Sequence, residues 1–77
     1  MSLTIVLNGH TRVFEALEES STLEDIVKEL DLKGDRIAVE HNGEIAARQN
    51  WGEVRLGNND RLEIVHFVGG GLWMPRQ

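Results

Sequence analysis

The stretch Leu62-Glu63-Ile64-Val65-His66-Phe67-Val68-Gly69-Gly70-Gly71, residues 62–71, decides the fold and suggests a use for it. Its first half is an apolar, β-branched run that predicts the last strand of a small domain. The three glycines add no side chain to a core, and bare backbone can enter a channel too narrow for any Cβ. The segment has two interpretations. It is either an arm that carries a chemical group into another protein's active site, or a glycine-rich linker to a tail.

Length and composition limit the function classes. The 77 residues make one small domain with ordinary hydrophobic (40%) and charged (27%) content. No apolar run approaches the roughly 20 residues of a membrane span, and the start lacks a signal peptide's features, so we expect a cytoplasmic protein that binds no membrane. Without cysteine there is no disulfide, thiolate metal site or persulfide. The net charge of −5 argues against nucleic acid and suits a partner with a basic docking surface.

The first part of the chain predicts a β-hairpin. Residues 3–7 alternate as a strand, and Asn8-Gly9 is a strong hairpin turn because both residues tolerate positive φ. The returning strand is predicted at about Thr11 to Ala16. A two-residue loop places Phe14 opposite Leu3, whereas a longer loop changes that register.

A helix is predicted from about Leu23 to Leu32. Apolar residues recur there at the i, i+3, i+4, i+7 spacing of one helical face, at Leu23, Ile26, Val27 and Leu30. Ser21 with Glu24 fits a capping box, and Thr22 is an alternative cap one residue on. Gly34 is the predicted terminator.

The rest of the chain predicts three more strands. They are Arg36–His41, Glu44–Ala46 and Arg61–Val68, with a turn or short 3₁₀ segment over Arg48–Val54 in which Trp51 covers one end of the core. This order predicts an α+β fold of the β-grasp type, that of ubiquitin, with a mixed sheet of four to five strands and one main helix packed on one face. The domain is predicted to span residues 1–68, and residues 69–77 form a glycine-rich arm and extension.

The open sheet face is the predicted partner site. If Ile5 and Ile64 face the helix, then Val6 and Val65 face away from it, where adjacent apolar residues make a patch. One interpretation is scattered surface hydrophobes. The other is a docking site in which Phe67 and Val68 guide the arm, formed by Val6, Val65, Phe67, Val68 and Gly69.

The remaining polar residues predict no catalytic or metal site. The histidines at 10, 41 and 66 lie in different predicted strands and lack metal-ligand spacing. His41 and His66 are in step with inward positions, so one of them is expected to be partly buried and hydrogen-bonded. Arg48 has two interpretations, a partner contact or an ion pair within the domain.

Several fragments, in order and spacing, carry a resemblance that covers nearly the whole chain. They are Asn8-Gly9, Asn42-Gly43-Glu44, Arg48-Gln49-Asn50-Trp51 and Asn59-Asp60-Arg61-Leu62-Glu63-Ile64-Val65, leading into residues 67–71. With them the chain resembles the sulfur-carrier proteins of thiamine biosynthesis (ThiS type). The resemblance implies a carrier with no bound cofactor and no catalysis of its own. A partner similar to ubiquitin-activating enzymes (ThiF type) adenylates its terminal glycine, using ATP and Mg²⁺. Sulfur then replaces AMP, and thiazole synthase (ThiG type) consumes the resulting thiocarboxylate.

Carried onto this sequence, the reactive glycine is Gly71, preceded by Gly70. The chain departs from the family pattern by continuing through residues 72–77, so Gly71 has no free carboxylate. Either a protease removes these residues from a precursor, or they were added for expression, or this homologue does not act as a carrier.

Two other functions stay open. The small subunit of molybdopterin synthase shares the fold and the double glycine, but its group often carries Pro shortly before the glycines, and Phe67-Val68-Gly69 has none. The third interpretation is a ubiquitin-like interaction module whose glycines are only a linker.

Overall fold

The structure, a computed structural model, describes residues 2–66. The strands are β1 (Leu3–Leu7), β2 (His10–Phe14), β3 (Ile37–His41), β4 (Glu44–Ala46) and β5 (Asp60–His66); the helix is α1 (Leu23–Glu29), and 3₁₀ segments span Gly34–Arg36 and Arg48–Glu53. The sheet order is β2-β1-β5-β3-β4. β1 and β5 are parallel, and every other neighbouring pair is antiparallel. This is the predicted β-grasp arrangement with five strands. None of the helices within residues 2–66 has the length and apolar character to cross a membrane.

The core lies between α1 and one face of the sheet. Alternate residues of each strand and the apolar stripe of α1 point into it, as their period of 2 or 3.6 requires. Its largest fully buried side chains are Leu3, Ile5, Leu23, Ile26, Val39 and Leu62. Trp51 covers one end of this core as predicted: it is 4% exposed, and its Nε1–H donates to the Ala46 carbonyl over 2.9 Å.

The β1–β2 hairpin closes in two residues. Asn8 (φ 49°) and Gly9 (φ 84°) both adopt the left-handed conformation of the turn type that matches strand twist. Leu3 pairs with Phe14, which is the register of the two-residue loop and not that of the longer alternative. The predicted bounds of β2, Thr11 to Ala16, are wrong. The tight turn brings His10 opposite Leu7 at once, and the strand ends at Phe14, whose carbonyl accepts from Leu17 N–H over 3.3 Å.

The start of α1 corrects the predicted cap. Thr22, the alternative, is the N-cap: its Oγ1 accepts from Asp25 N–H over 3.2 Å, while Thr22 N–H donates to Asp25 Oδ2 over 2.9 Å. The prediction of a box between Ser21 and Glu24 is wrong. Ser21 Oγ instead accepts from the backbone N–H of Glu18 over 3.1 Å and stabilises the preceding turn.

The end of α1 is also earlier than predicted. The helix stops at Glu29 because Asp31 adopts a left-handed conformation with φ 58°. Asp31 N–H then donates to the Lys28 carbonyl (3.0 Å) and Leu32 N–H to the Val27 carbonyl (3.1 Å), the two bonds of a Schellman motif.

Gly34 is therefore not the terminator, and it opens the first 3₁₀ segment. A Cβ at this position would lie 3.1 Å from Trp51 Cζ3 and 3.2 Å from Arg48 Nε, so glycine permits close packing here. Arg36 belongs to the same segment, and β3 begins at Ile37, one residue later than predicted.

Candidate functional site

β5 is the strand that leads into the predicted glycine arm, and it lies at the centre of the sheet. It is paired with β1 only as far as Leu7 opposite Leu62, whereas its pairing with β3 continues to His66. β5 therefore has neighbours on both sides over its first part, and it passes the end of β1 before its last described residue, His66. The predicted arm residues Phe67, Val68, Gly69, Gly70 and Gly71, and the predicted boundary after residue 68, lie outside the described residues.

Two asparagines from two hairpin turns hold β5. Asn8 accepts from Ile64 N–H at Oδ1 (2.7 Å) and donates from Nδ2 to the Ile64 carbonyl (3.3 Å). Asn42 Oδ1 accepts from Arg61 N–H, and Asn42 N–H donates to the Arg61 carbonyl, both over 2.8 Å. The predicted turn at Asn8-Gly9 is confirmed, but the prediction misses the role of the asparagine side chains in holding β5. For Asn8 the available signal is Asn rather than Asp before Gly, because only a side-chain amide both donates and accepts. Toward β5 the Asn42 side chain only accepts, and its backbone N–H is the donor.

The outer sheet face, the one turned away from α1, carries the predicted docking residues Val6 and Val65. Both alternate with buried core residues and are half-buried. The sequence suggested that these two residues are adjacent, but the structure separates them. Val6 lies opposite Arg61, and Val65 is four residues further along β5, which is about 13 Å at strand rise. Val65 lies opposite Ala38 instead. The predicted single patch is thus two separate ones.

Exposed hydrophobic residues at the two sheet edges extend the outer face. Val13 of β2 is 55% exposed and lies opposite Thr4, and Ile45 of β4 is 70% exposed. Neither was predicted as a docking residue. The sequence signal for both is the alternation of side chains along a strand. Each precedes an inward residue, Phe14 or Ala46, and so points to the outer face.

Charged residues occupy the middle of the outer face. Glu40 lies directly opposite Glu63, and Ile45 lies on the other side of Glu40. Arg61 follows on the same face of β5. The apolar patch around Val65 is therefore bordered by acidic side chains, an arrangement that suits a partner surface with basic groups around an apolar contact.

A polar cluster supports the start of β5. His41 Nε2 and Asp60 Oδ2 are 2.8 Å apart, and the same oxygen accepts from Gly57 N–H over 2.9 Å. Burial acts to raise the pKa of Asp60, but the hydrogen bonds from His41, Gly57 and Asn42 outweigh it and hold that pKa below its usual value. His41 is thus the predicted histidine that is partly buried and hydrogen-bonded. The pair lies at the opposite end of β5 from the arm, so it supports the sheet rather than the predicted chemistry.

The other candidate side chains show no catalytic arrangement. His10 and His66 are exposed. Neither ion pair found among residues 2–66 includes Arg48, which packs over Gly34. Within the same range, no group of three His, Asp or Glu side chains is placed to hold a metal ion.

Residues 5–71 match the family model described as the ThiS family. Over 54 residues, the chain is 39% identical to the protein named sulfur carrier protein ThiS of Bacillus subtilis, a match that covers 70% of this chain and 82% of the relative. The crystal structure of the thiamine biosynthesis protein ThiS from Geobacter metallireducens has a similar fold. Its TM-score is 0.76 at 23% identity, and the match covers 88% of this chain and 99% of that one.

Two further relatives are named thiazole synthase. The protein from Paramagnetospirillum magneticum is 39% identical over 69 residues, and that from Magnetococcus marinus is 37% identical over 73 residues. These matches cover 90% and 95% of this chain but only 20% and 22% of the relatives. The chain thus spans about a fifth of the length of these thiazole synthases.

Proposed function

The chain belongs to the ThiS family, as its resemblance implies, and we propose that it is a sulfur carrier whose arm donates sulfur to thiazole formation in thiamine biosynthesis. The observation that carries the proposal is the extent of the family match. It runs through residues 5–71 and so includes the helix, all three glycines and every strand except the first two residues of β1. The interaction-module interpretation gives no reason for the match to reach Gly71, and the relatives favour thiamine over molybdopterin synthesis.

The proposed chemistry takes place at the carboxylate of Gly71 and needs no catalytic group from this chain. A carboxylate is a poor electrophile. Its oxygen attacks the α-phosphorus of ATP in the activating enzyme, pyrophosphate leaves, and the acyl-adenylate carries AMP as a leaving group. A sulfur nucleophile then attacks the acyl carbon and displaces AMP. The enzyme supplies Mg²⁺ and cationic groups to hold the phosphates. Gly70 and Gly71 are needed because a side chain would obstruct a narrow channel.

The fold supports this role through the strand that precedes the proposed arm. β5 is held by β1 and Asn8 on one side and by β3 on the other, so the position of His66 is set by the core. A partner that docks on the outer face next to Val65 and Ala38 then receives the next residues in a defined direction. We propose Val6, Val65, Phe67, Val68 and Gly69 as contacts of this kind, with Val65 closer to the arm than Val6.

The partners follow from the same chemistry. An adenylating enzyme of the ThiF type forms the thiocarboxylate, and a thiazole synthase of the ThiG type consumes it. The second partner is supported by the two relatives named thiazole synthase, each of which contains a region similar to this chain. In this proposal the chain is a substrate of both partners.

The test is a comparison of two chains, one of residues 1–77 and one ending at Gly71. Each is incubated with the activating enzyme, ATP, Mg²⁺ and a sulfur source, and its mass is measured. We expect only the shorter chain to exchange a terminal oxygen for sulfur, since only there is the Gly71 carboxylate free. The control is the shorter chain with Gly71→Ala, which keeps a free carboxylate but adds a Cβ and should react poorly. Thiocarboxylate on the uncut longer chain, or none on the shorter one, would contradict the proposal.

A further inference from the structure

A cavity of about 250 Å³, the β3–β4 cavity, lies at the edge of the sheet where β4 stops short of β3. β4 pairs with β3 only as far as Ala46 opposite Val39, whereas β3 begins at Ile37, two residues earlier. The lining of the cavity includes Gly34, Ala38, Ile45, Arg48 and Trp51. The volume is below the roughly 300–1,000 Å³ of pockets that enclose a small ligand, and it suits a side chain of a protein partner.

The floor of the β3–β4 cavity is apolar and preformed. Trp51 is almost fully buried, and its Nε1–H donates to the Ala46 carbonyl over 2.9 Å, which fixes the orientation of the ring. Gly34 lies against the same ring, where a Cβ would be 3.1 Å from Trp51 Cζ3. A preformed apolar site takes an apolar side chain without rearrangement, and anchor residues at protein interfaces fill pockets of this kind.

Two residues at the rim of the β3–β4 cavity have surface that the domain itself does not use. Ile45 is a large apolar side chain left 70% exposed. Arg48 packs over Gly34 but forms no ion pair or side-chain hydrogen bond with any other residue that the structure describes. Asp35 also lines the cavity, yet it is not paired with Arg48. The guanidinium donors of Arg48 are thus open to an oxygen atom of a partner.

The β3–β4 cavity is level with the end of β5. Ala38, on its wall, lies opposite Val65, and Ile37 lies opposite His66. Val6 lies about 13 Å further back along β5, at the level of Arg61. A partner that covers the patch around Val65 at this end of the sheet therefore covers the cavity as well.

We propose that the β3–β4 cavity is a docking site for the thiazole synthase, which inserts an apolar side chain between Ala38 and Ile45 and places a carboxylate beside Arg48. The inference rests on the proposed function. Of the two proposed partners, the thiazole synthase is favoured because two relatives of that name contain a region similar to this chain. Glu40 lies opposite Ile45 on the outer face, so the complementary surface has a basic group on that side of the inserted side chain.

The first test is the affinity of the chain of residues 1–77 for a separate thiazole synthase, measured by calorimetry without ATP or a sulfur source. Ile45→Asp places a charge at the rim of an apolar contact and should weaken binding by at least about thirtyfold. The matched control is Val13→Asp, the same change at the exposed hydrophobic residue of the opposite sheet edge, which should bind like the parent chain. Both variants should keep the urea midpoint of the parent, because both side chains are exposed.

The second test removes the charge at the rim. Arg48→Gln should weaken binding to the synthase by about tenfold at low salt and by less at high salt, because salt screens an exposed charge contact. Its matched control is Arg55→Gln, a change at an exposed arginine outside the cavity, which should leave the affinity and its salt dependence unchanged.

Unchanged affinity of Ile45→Asp for the synthase would overturn the inference. So would an equal loss in Val13→Asp, or a loss of affinity for the activating enzyme alone. If the parent chain does not bind the synthase, the inference fails together with the proposed partner. A failure of thiocarboxylate formation leaves these affinities unchanged, since the binding assay contains neither ATP nor sulfur, and it would count against the proposed function alone.

Discussion

Asn8→Asp tests whether the turn side chain holds the central strand. The substitution keeps the size of the side chain, and Asp tolerates the left-handed conformation found here at φ 49°. It also keeps the oxygen that accepts from Ile64 N–H over 2.7 Å. What it removes is the amide donor that bonds to the Ile64 carbonyl over 3.3 Å, and in its place it puts a carboxylate oxygen against that carbonyl.

The cost follows from this geometry. One neutral hydrogen bond contributes about 1 kcal/mol, and a partly buried carbonyl left facing an anion adds its own penalty, so we expect a loss of about 1–3 kcal/mol. A domain of this length has a free energy of unfolding of about 4–11 kcal/mol, so the loss is a measurable share. The assay is urea unfolding at pH 7, followed by the fluorescence of the buried Trp51.

The matched control is Asn58→Asp. Asn58 Oδ1 accepts from Thr4 N–H over 2.9 Å at an exposed position, and an aspartate keeps that acceptor. We therefore expect a change within about 0.5 kcal/mol. An equal loss for both variants would mean that added negative charge, not the donor to Ile64, is responsible. A neutral result for Asn8→Asp would show that β5 needs no such support.

Two further predictions follow from the outer face and from the polar cluster. Val65→Asp and Phe67→Asp should leave the urea midpoint almost unchanged but weaken binding to the activating enzyme by at least about thirtyfold. That factor corresponds to the loss of about 2 kcal/mol at a buried contact. Unchanged affinity in both variants would place the docking site elsewhere. Asp60 has a pKa below its usual value of 3.8 in the folded chain, so its contribution is fully present above that value and is lost as the pH falls through the folded pKa. Asp60→Asn should therefore flatten the acid limb of stability against pH, and an identical limb would contradict the assigned hydrogen bonds.

The features that could be predicted from sequence are those set by residues close together in the chain. The alternation of residues 3–7 identifies the inward side of β1, and the Asn-Gly pair predicts the position of the hairpin turn. The period of α1 likewise identifies its buried side from residues within two turns. In each case, residues that are close in sequence are compatible with only one local structure.

The errors arise where two local choices compete or where the partner is distant. Ser21 and Thr22 are both residue types that cap helices well. Thr22 is the N-cap here because the Ser21 side chain accepts from the backbone N–H of Glu18 instead. Asp31 ends the helix by adopting positive φ, which is usually assigned to glycine. The separation of Val6 from Val65 depends on the parallel register of β1 and β5. No turn sets that register, because most of the chain lies between the end of β1 and the start of β5.

The same long-range pairing explains why the two asparagines are needed. A parallel pair has no tight turn to fix its register, and β1 and β5 share only three registered residue pairs. The Asn8 side chain extends this ladder to Ile64, at the point where β1 has already turned away. On the other side of β5, Asn42 adds hydrogen bonds to Arg61 next to the antiparallel pair with β3. Both asparagines therefore bond to β5, the last strand that the structure describes. The proposed function requires β5 to be held in position so that the residues after it can reach a partner, and the two turns provide that restraint.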